Sequence, residues 1–270
     1  MTSRLADEDV VLAEPERPCG TGVLVLHGSS GRLEADRARL LARHGAHALA
    51  IRWIGGVGQP SDPYEVPLEL FSAGLDRLAA RCDRLAVLGL SFGAEAALLT
   101  GVHDSRVDAV VAFAPSPVAW AGFSGGRMSS HWSLRGEPVP FMPFLVDGEP
   151  TGDPPAFRGL YEASLAADPA RAAQAAIPVE RISGDVVLVG GEDDQVWPGA
   201  DFARLVARRR DRHGLASTVV IHPGAGHRVM LPGEEPARGG MRMARGGSER
   251  ADRELGQLAW PHLRRVLRLH

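Results

Sequence analysis

Short apolar runs alternate with helical segments along most of this chain, and this alternation restricts the fold more than any other feature. The apolar runs are typical of buried strands, whereas the segments between them repeat with the period of an α-helix. The predicted strands are residues 23–26, 46–53, 85–90, 107–113, 186–189 and 218–221, and the predicted helices are residues 33–44, 68–81, 92–102, 200–213 and 249–267. Such alternation predicts an α/β fold with a mostly parallel, doubly wound sheet covered on both faces.

One long stretch, residues 115–178, interrupts this rhythm. It is rich in Pro and Gly and holds seven of the fifteen aromatic residues of the chain. An insertion of this length in an α/β sheet usually lies over the carboxyl ends of the strands as a lid, but it can also be a surface excursion with a small core of its own. We expect one domain over residues 1–270 with residues 115–178 as a lid or cap insertion, and an irregular loop over residues 233–247.

The composition excludes several classes of function. All 30 cationic residues are arginine, a usage typical of GC-rich bacterial genomes. The lack of lysine rules out Schiff-base chemistry and the lysine of a P-loop. A net charge of −3 gives no reason to expect a nucleic-acid or membrane partner. Cys19 and Cys82 are too few for a disulfide scaffold and match no zinc motif, so we expect two free thiols. Without a signal segment or a membrane-spanning run, we expect a cytoplasmic protein.

The segment Gly89-Leu90-Ser91-Phe92-Gly93 fits the pattern G-x-S-x-G. A buried strand is predicted before it and a helix after it, which is the strand–turn–helix context of a nucleophile elbow. The turn is so sharp that the residues flanking the serine by two positions must be small. We therefore predict Ser91 as a nucleophile, with the backbone N–H of Phe92 as an oxyanion donor. The alternative is a tight turn with an ordinary serine.

A nucleophilic serine needs a general base and an acid that orients the base, and in this fold they follow in the order Ser, acid, His. His227 lies in a glycine-containing loop after the last predicted strand, whereas His222 lies nearer the strand and is expected to be structural. The acid is expected in the cluster that follows residues 186–189. We prefer Asp194 and keep Asp193 in reserve, since an acid in this cluster can also cap the next helix.

A second oxyanion donor is expected in the turn after the first buried strand, His27-Gly28-Ser29-Ser30-Gly31. The backbone N–H of Ser29 is the first choice and that of Ser30 the second. His27 is expected to brace this turn by hydrogen bonding rather than to act as the base.

Several longer motifs, taken together, resemble the catalytic domain shared by acyl-CoA thioesterases and bile acid-CoA:amino acid N-acyltransferases, within the α/β-hydrolase superfamily. They are residues 27–31, 66–71, 89–95, 130–136, 177–180, 191–198 and 224–227. The resemblance implies an acyl-thioester substrate and a triad of Ser91, Asp194 and His227. The sequence departs from the family in two ways. We expect no β-sandwich of the kind that precedes this domain in the mammalian members. The amino acid-conjugating members use cysteine as nucleophile, so the serine here is expected to favour water as the acceptor.

The expected function is hydrolysis of an acyl thioester, on CoA or a carrier protein, through an acyl-enzyme. Alternatives are an oxygen-ester or lactone hydrolase, an acyltransferase or cyclase using the same triad, and a non-catalytic binding fold. No metal or organic cofactor is needed. We also expect the aromatic insertion to line the acyl-binding wall, with Trp120 and Trp132 as the substrate contacts.

Overall fold

The computed structural model describes residues 5–145, 148–236 and 241–270. Its strands are β1 (Val10–Ala13), β2 (Thr21–Leu26), β3 (His47–Ile51), β4 (Val66–Pro67), β5 (Arg84–Leu90), β6 (Val107–Phe113), β7 (Ala121–Ser124), β8 (Arg127–Ser130), β9 (Trp132–Leu134), β10 (Glu137–Pro138), β11 (Asp185–Gly191) and β12 (Thr218–His222). Its helices are α1 (Ala35–Arg43), α2 (Glu69–Ala79), α3 (Phe92–His103), α4 (Arg158–Ala167), α5 (Pro169–Ala175), α6 (Gly199–Asp211) and α7 (Glu249–Leu267).

The central sheet has the spatial order β1-β3-β2-β5-β6-β11-β12. β1 pairs antiparallel with β3, and every other neighbouring pair in this sheet is parallel. Six of these strands match the six predicted ones, so the prediction of a mostly parallel sheet is confirmed. β1 was not predicted because it is a short edge strand with Leu12 41% exposed, and it lacks the fully buried run that identifies the others.

Helices cover both faces of the sheet because side chains alternate along each strand. In β2, Val23 and Val25 belong to the core formed with α1 and α7. Leu24 and Leu26 belong to the opposite core, formed with α2, α3 and α6. All four side chains are at most 1% exposed. The five predicted helices are therefore found where the doubly wound arrangement requires them.

Residues 115–178 contain the hairpin β7–β8, the strands β9 and β10, and the helices α4 and α5. This insertion leaves the main sheet at the carboxyl end of β6 and returns at β11. Its side chains Trp120, Met142 and Tyr161 pack against Trp197 and Phe202, which follow β11. The insertion thus has a small core that it shares with the segment after β11.

Three further features of the structure concern the loop over residues 233–247, the two cysteines and the apolar character of the helices. Residues 233–236 and 241–247 contain no helix or strand, as predicted for a loop, and residues 237–240 lie outside the described residues. Cys19 and Cys82 are both partly buried free thiols. No helix in the described part of the chain combines the length and the apolar character needed to cross a membrane.

Candidate active site

Ser91 lies in a strained turn between the end of β5 and the start of α3. Its φ of 58° and ψ of −124° place it in a region that residues other than glycine rarely adopt. A Cβ atom on Gly89 would lie 1.9 Å from the carbonyl oxygen of Gly93, and one on Gly93 would lie 2.3 Å from that of His27. Both flanking positions therefore require glycine, which is the physical reason for the G-x-S-x-G pattern.

Hydrogen bonds hold this turn at the carboxyl edge of the sheet. The N–H of Ser91 donates to the carbonyl of Phe113 at 2.9 Å, and the carbonyl of Ser91 accepts from Ala94 at 2.8 Å. Phe92 is the first residue of α3, so its N–H has no partner within the helix and forms part of the positive end of the helix dipole. The turn thus offers a backbone donor beside the serine hydroxyl, and the binding of an oxyanion by this N–H of Phe92 stays a prediction.

Asp194 and His227 form a buried hydrogen-bonded pair. Asp194 Oδ2 and His227 Nδ1 are 2.8 Å apart. The other oxygen of Asp194, Oδ1, accepts the N–H groups of Val196 at 2.9 Å and Trp197 at 3.2 Å. Asp194 is 0% exposed and His227 is 7% exposed. The carboxylate therefore fixes the imidazole with Nδ1 turned inward, which leaves Nε2 for proton exchange.

Asp193, the reserve candidate, occupies a different position. Its side chain is exposed and accepts the N–H of Gly247 at 2.8 Å and the amide of Gln195 at 2.9 Å. It braces the irregular loop, whereas Asp194 contacts His227. Neither aspartate side chain caps α6, whose N-cap residue is Pro198.

The loop that carries His227 is fixed from two sides. The main-chain N–H of His227 donates to the carbonyl of Arg245 at 2.9 Å, and Gly226 N–H donates to Asp252 Oδ1 at 2.8 Å. His222 instead contacts Glu254 at 3.2 Å and accepts the N–H of Gly224 at 3.2 Å. His222 therefore has the structural surroundings that were expected of it.

The turn that follows β2 passes directly over Ser91. A Cβ atom on Gly28 would lie 3.2 Å from the Cβ of Ser91, so glycine permits this close approach. Ser29 and Ser30 follow in the exposed part of the turn, and neither N–H donates to a backbone carbonyl among the described residues. Both amides thus remain candidates for the second oxyanion donor.

His27 braces this turn, as predicted. Its Nδ1 donates to the carbonyl of Gly28 at 2.5 Å, and its Nε2 accepts the N–H of Trp53 at 3.2 Å. Burial lowers the pKa of His27 to about 4, so the ring stays neutral at ordinary pH. The side chain is 0% exposed and both ring nitrogens are occupied, which leaves it no part in proton transfer.

Ser91 and His227 are not joined by a hydrogen bond within residues 5–145, 148–236 and 241–270. Contacts between a catalytic serine and its base are often long without substrate and shorten when it binds. The structure therefore unites the acid with the histidine and places the serine at the same edge of the sheet. The transfer of the Ser91 proton to His227 therefore stays a prediction.

The two tryptophans expected to contact substrate are both 0% exposed. Trp132 packs against Trp53 and Phe71 with ring centroids 5.0 Å and 5.8 Å away, and Trp120 packs against Tyr161 at 4.6 Å. Large aromatic side chains bury much apolar area, and here Trp132 fills part of the main core and Trp120 part of the small core of the insertion. Trp120 and Trp132 offer no surface to a ligand in this arrangement, and their role in acyl binding stays a prediction.

Two buried residues near Ser91 were missing from the predicted site. Glu95 lies one helical turn after Ser91 and is 0% exposed, and His131 is 2% exposed. Their side chains meet with His131 Nδ1 at 3.4 Å from Glu95 Oε1. Glu95 could have been found from the sequence, because it is an acidic residue inside the otherwise apolar stretch 94–99. No local pattern connects Glu95 to His131.

A cavity of about 370 Å³ lies elsewhere, near the carboxyl end of α3. Leu99, His103, Leu134, Ile177 and Arg181 are among its lining residues, and none of the predicted site residues lines it. No group of His, Cys, Asp or Glu side chains in the described part of the chain is arranged to hold a metal ion.

Residues 66–235 match the family model described as BAAT / acyl-CoA thioester hydrolase C terminal. The chain belongs to this family. The matched residues include Ser91, Asp194 and His227 and the whole of the insertion. The expected resemblance is therefore confirmed.

Two curated relatives illustrate the range of the family. The chain is 25% identical over 225 residues to a peroxisomal succinyl-coenzyme A thioesterase of Mus musculus, covering 78% of this chain and 49% of the relative. It is 24% identical over 258 residues to a bile acid-CoA:amino acid N-acyltransferase of Homo sapiens, covering 92% of this chain and 59% of the relative. The chain thus spans about half to three fifths of the length of these relatives.

The solved structures similar to this chain include a protein of Klebsiella pneumoniae with a provisional assignment as a dienelactone hydrolase. It is 16% identical, has a TM-score of 0.55, and the match covers 96% of this chain and 98% of that one. At this identity the likeness concerns the fold alone. The chain has the α/β-hydrolase fold, as expected.

Proposed function

We propose that this chain hydrolyses acyl thioesters through Ser91, Asp194 and His227. The observation that carries the proposal is the 2.8 Å hydrogen bond between Asp194 and His227, formed at the same edge of the sheet as the strained Ser91 turn. A buried acid–histidine pair beside an elbow serine is the arrangement that activates a hydroxyl for attack on an acyl carbonyl.

The reaction proceeds through an acyl-enzyme. Ser91 Oγ attacks the thioester carbonyl while His227 Nε2 takes its proton, and the oxyanion accepts the N–H groups of Phe92 and Ser29. The C–S bond then breaks and His227 returns the proton to the leaving thiolate. Water attacks the acyl-serine, His227 takes its proton and passes it to Ser91 Oγ, and the carboxylic acid leaves. Asp194 stabilises the imidazolium in both halves.

Cationic residues around the site favour an anionic thiol carrier. Arg228 directly follows His227, Arg245 receives the His227 N–H on its carbonyl, and Arg32 follows the Ser29 turn. Burial lowers the pKa of Arg228 and the charges of Arg245 and Arg32 lower it further, whereas those of Asp252 and Glu34 raise it, so three guanidinium groups and two carboxyl groups lie within electrostatic reach of one another. The phosphates of CoA suit such a rim, and CoA is the carrier in the names of both relatives above. A carrier-protein thioester stays a second prediction.

Amide formation is the second candidate reaction, because an amino acid N-acyltransferase is among the relatives. An amine would then replace water in attack on the same acyl-serine. Serine as the nucleophile favours water, so we expect hydrolysis to dominate.

A substrate panel tests the proposal. One acyl group is offered as its CoA thioester, as a carrier-protein thioester and as an oxygen ester, alongside a lactone, and the CoA thioester is also offered with excess glycine. We expect the highest kcat/KM with the CoA thioester, free acid as the main product, and a rapidly quenched acyl adduct on the peptide that carries Ser91. A preference for the oxygen ester or lactone, or an amide as the main product, would contradict thioester hydrolysis.

A further inference from the structure

Glu95 and His131 form a buried acid–histidine pair that the proposed reaction does not use. Both side chains are at most 2% exposed, and Glu95 Oε1 lies 3.4 Å from His131 Nδ1. Ionisable groups are rarely buried so deeply because removing them from water is costly. Neither Glu95 Oε2 nor His131 Nδ1 makes a hydrogen bond within the described part of the chain, which makes the burial more costly still.

Glu95 connects the helix of the nucleophile turn to the insertion. Its Oε1 accepts the indole N–H of Trp132 at 2.6 Å and the backbone N–H of Trp120 at 2.9 Å. Both donors belong to the segment 115–178, whereas Glu95 lies in the first turns of α3. Hydrogen bonds in the protein interior are electrostatically stronger than those in water. The insertion is thus fixed to the helix that begins at Ser91.

His131 in turn supports the side chain of Phe92. The two ring centroids are 4.2 Å apart with an interplanar angle of 53°. The ring of Phe92 contacts Trp197 at 5.5 Å, and Trp197 contacts His227 at 5.8 Å. Trp197 also donates its backbone N–H to Asp194. A continuous series of ring contacts therefore runs from His131 past the oxyanion donor to the acid–histidine half of the site.

Tyr161 places the pair close to Asp194. Burial raises the pKa of Tyr161, and the charges of Glu95 and Asp194 raise it further, so its neutral hydroxyl lies within the electrostatic range of both carboxyl groups. The ring of Tyr161 also packs against Trp120 and Trp197. Tyr161 thus contacts both Trp120, whose N–H donates to Glu95, and Trp197, whose N–H donates to Asp194.

We propose that Glu95 and His131 are positioning residues that hold the Phe92 turn so that its N–H faces the oxyanion. Glu95 fixes the insertion through Trp120 and Trp132 and contacts His131, and His131 limits the position of the Phe92 ring and thereby of its backbone. Oxyanion stabilisation depends on donors that are already aligned before the charge develops. This inference rests on the proposed serine mechanism. It predicts that loss of the pair weakens the transition state and leaves substrate binding nearly unchanged.

Two inhibitors separate these effects. An alkyl boronic acid adds to Ser91 Oγ as a tetrahedral anion that needs the oxyanion donors, whereas a thioether analogue of the acyl-CoA binds without forming an adduct. For His131→Ala we expect the boronate Kd to rise about tenfold or more, the thioether Kd to stay within about twofold, and kcat to fall about tenfold or more with KM nearly constant. His103→Ala is the matched control, since His103 ends the same helix far from Phe92, and it should leave both affinities unchanged.

Glu95→Gln provides a second variant in case His131→Ala does not fold. The amide oxygen still accepts from Trp132 and Trp120, but the carboxyl group that contacts His131 is replaced by an amide. We expect a rise of about threefold or more in boronate Kd at constant thioether Kd. The inference is overturned if the folded variants weaken both inhibitors equally or weaken neither. A wild-type protein that binds no boronate would instead contradict the serine mechanism, and the positioning role would fail with it.

Discussion

His227 Nδ1 lies 2.8 Å from Asp194 Oδ2, with at most 9% of either side chain exposed. Oδ1 of the same carboxylate is occupied by two backbone N–H groups. Three hydrogen bonds thus fix the carboxylate and, through it, the ring of His227. This rigidity is what a general base requires, since the ring must present one nitrogen in a constant direction.

The acid can be tested by an exchange that keeps its shape. Asp194→Asn should lower kcat about 10⁴-fold, because an amide offers the wrong partner to the imidazole tautomer. Asp193→Asn is the matched control, and its effect should be much smaller because Asp193 only braces the loop through Gly247 and Gln195. Steady-state kinetics of the two purified variants give the comparison. The opposite ranking would move the acid one residue earlier.

The sharpness of the nucleophile turn can be tested at its flanking glycine. Gly89→Ala would place a methyl group 1.9 Å from the carbonyl of Gly93, and should lower the free energy of unfolding by about 3 kcal/mol or more. Gly159→Ala is the control in α4, where no atom lies within 4 Å of the added Cβ. It should raise the free energy of unfolding by about 0.5–1 kcal/mol. Urea unfolding distinguishes the two, and a Gly89→Ala protein of normal stability would refute the geometry of the turn.

Much of the sheet and of the site follows from local pattern. The strands β5 and β6 are mostly buried and therefore appear as apolar runs, and the glycines around Ser91 mark a turn that only glycine permits. Asp194 and His227 follow strand ends in a fixed order, so motif and position together locate them. In each case the information lies within about ten residues of chain, which is the range over which periodicity and turn chemistry operate.

The rest depends on contacts between distant segments. The pairing of Glu95 with His131 leaves no trace in residue spacing, because it forms only when the insertion packs on α3. The strands β7 to β10 were missed for a similar reason, since they are short and pair only within the insertion or with β4. The aromatic content of residues 115–178 suggested a substrate wall, whereas Trp120 and Trp132 are both 0% exposed.

Trp132 tests whether the insertion serves packing or specificity. Trp132→Ala should lower the free energy of unfolding by about 3–5 kcal/mol, because it removes a fully buried indole. If Trp132 also lines the acyl-binding wall, the substitution should change the preference between acyl chains, measured as kcat/KM, by about tenfold, or roughly 1.4 kcal/mol. Urea unfolding and a series of acyl-CoA chain lengths measure the two effects. A destabilised variant with unchanged chain-length preference would show that Trp132 only fills the interior.

His27 should make stability depend on pH. Burial lowers the pKa of His27 to about 4 in the folded protein, whereas the unfolded chain titrates near about 6.5. Between these values the unfolded state binds more protons, so the His27 contribution is fully present above about pH 6.5 and decreases as the pH falls. The decrease from pH 7.5 to 4.5 should be about 2.5 kcal/mol.

Urea unfolding of the wild type and of His27→Gln across this range isolates the contribution, because the other titrating groups are common to both proteins. The wild type should lose its stability advantage over the variant as the pH falls. Two parallel curves would mean that His27 is not held neutral by burial.

The nucleophile is tested most directly by Ser91→Ala. Alanine keeps the Cβ and removes only the hydroxyl of an almost fully buried side chain, so circular dichroism and urea unfolding should match the wild type to within about 1 kcal/mol. Thiol release from an acyl-CoA should fall to the rate without enzyme, and fluorophosphonate labelling should be lost, whereas Ser61→Ala in an exposed loop should retain both. A folded Ser91→Ala protein that still released thiol at near wild-type rate would contradict the account.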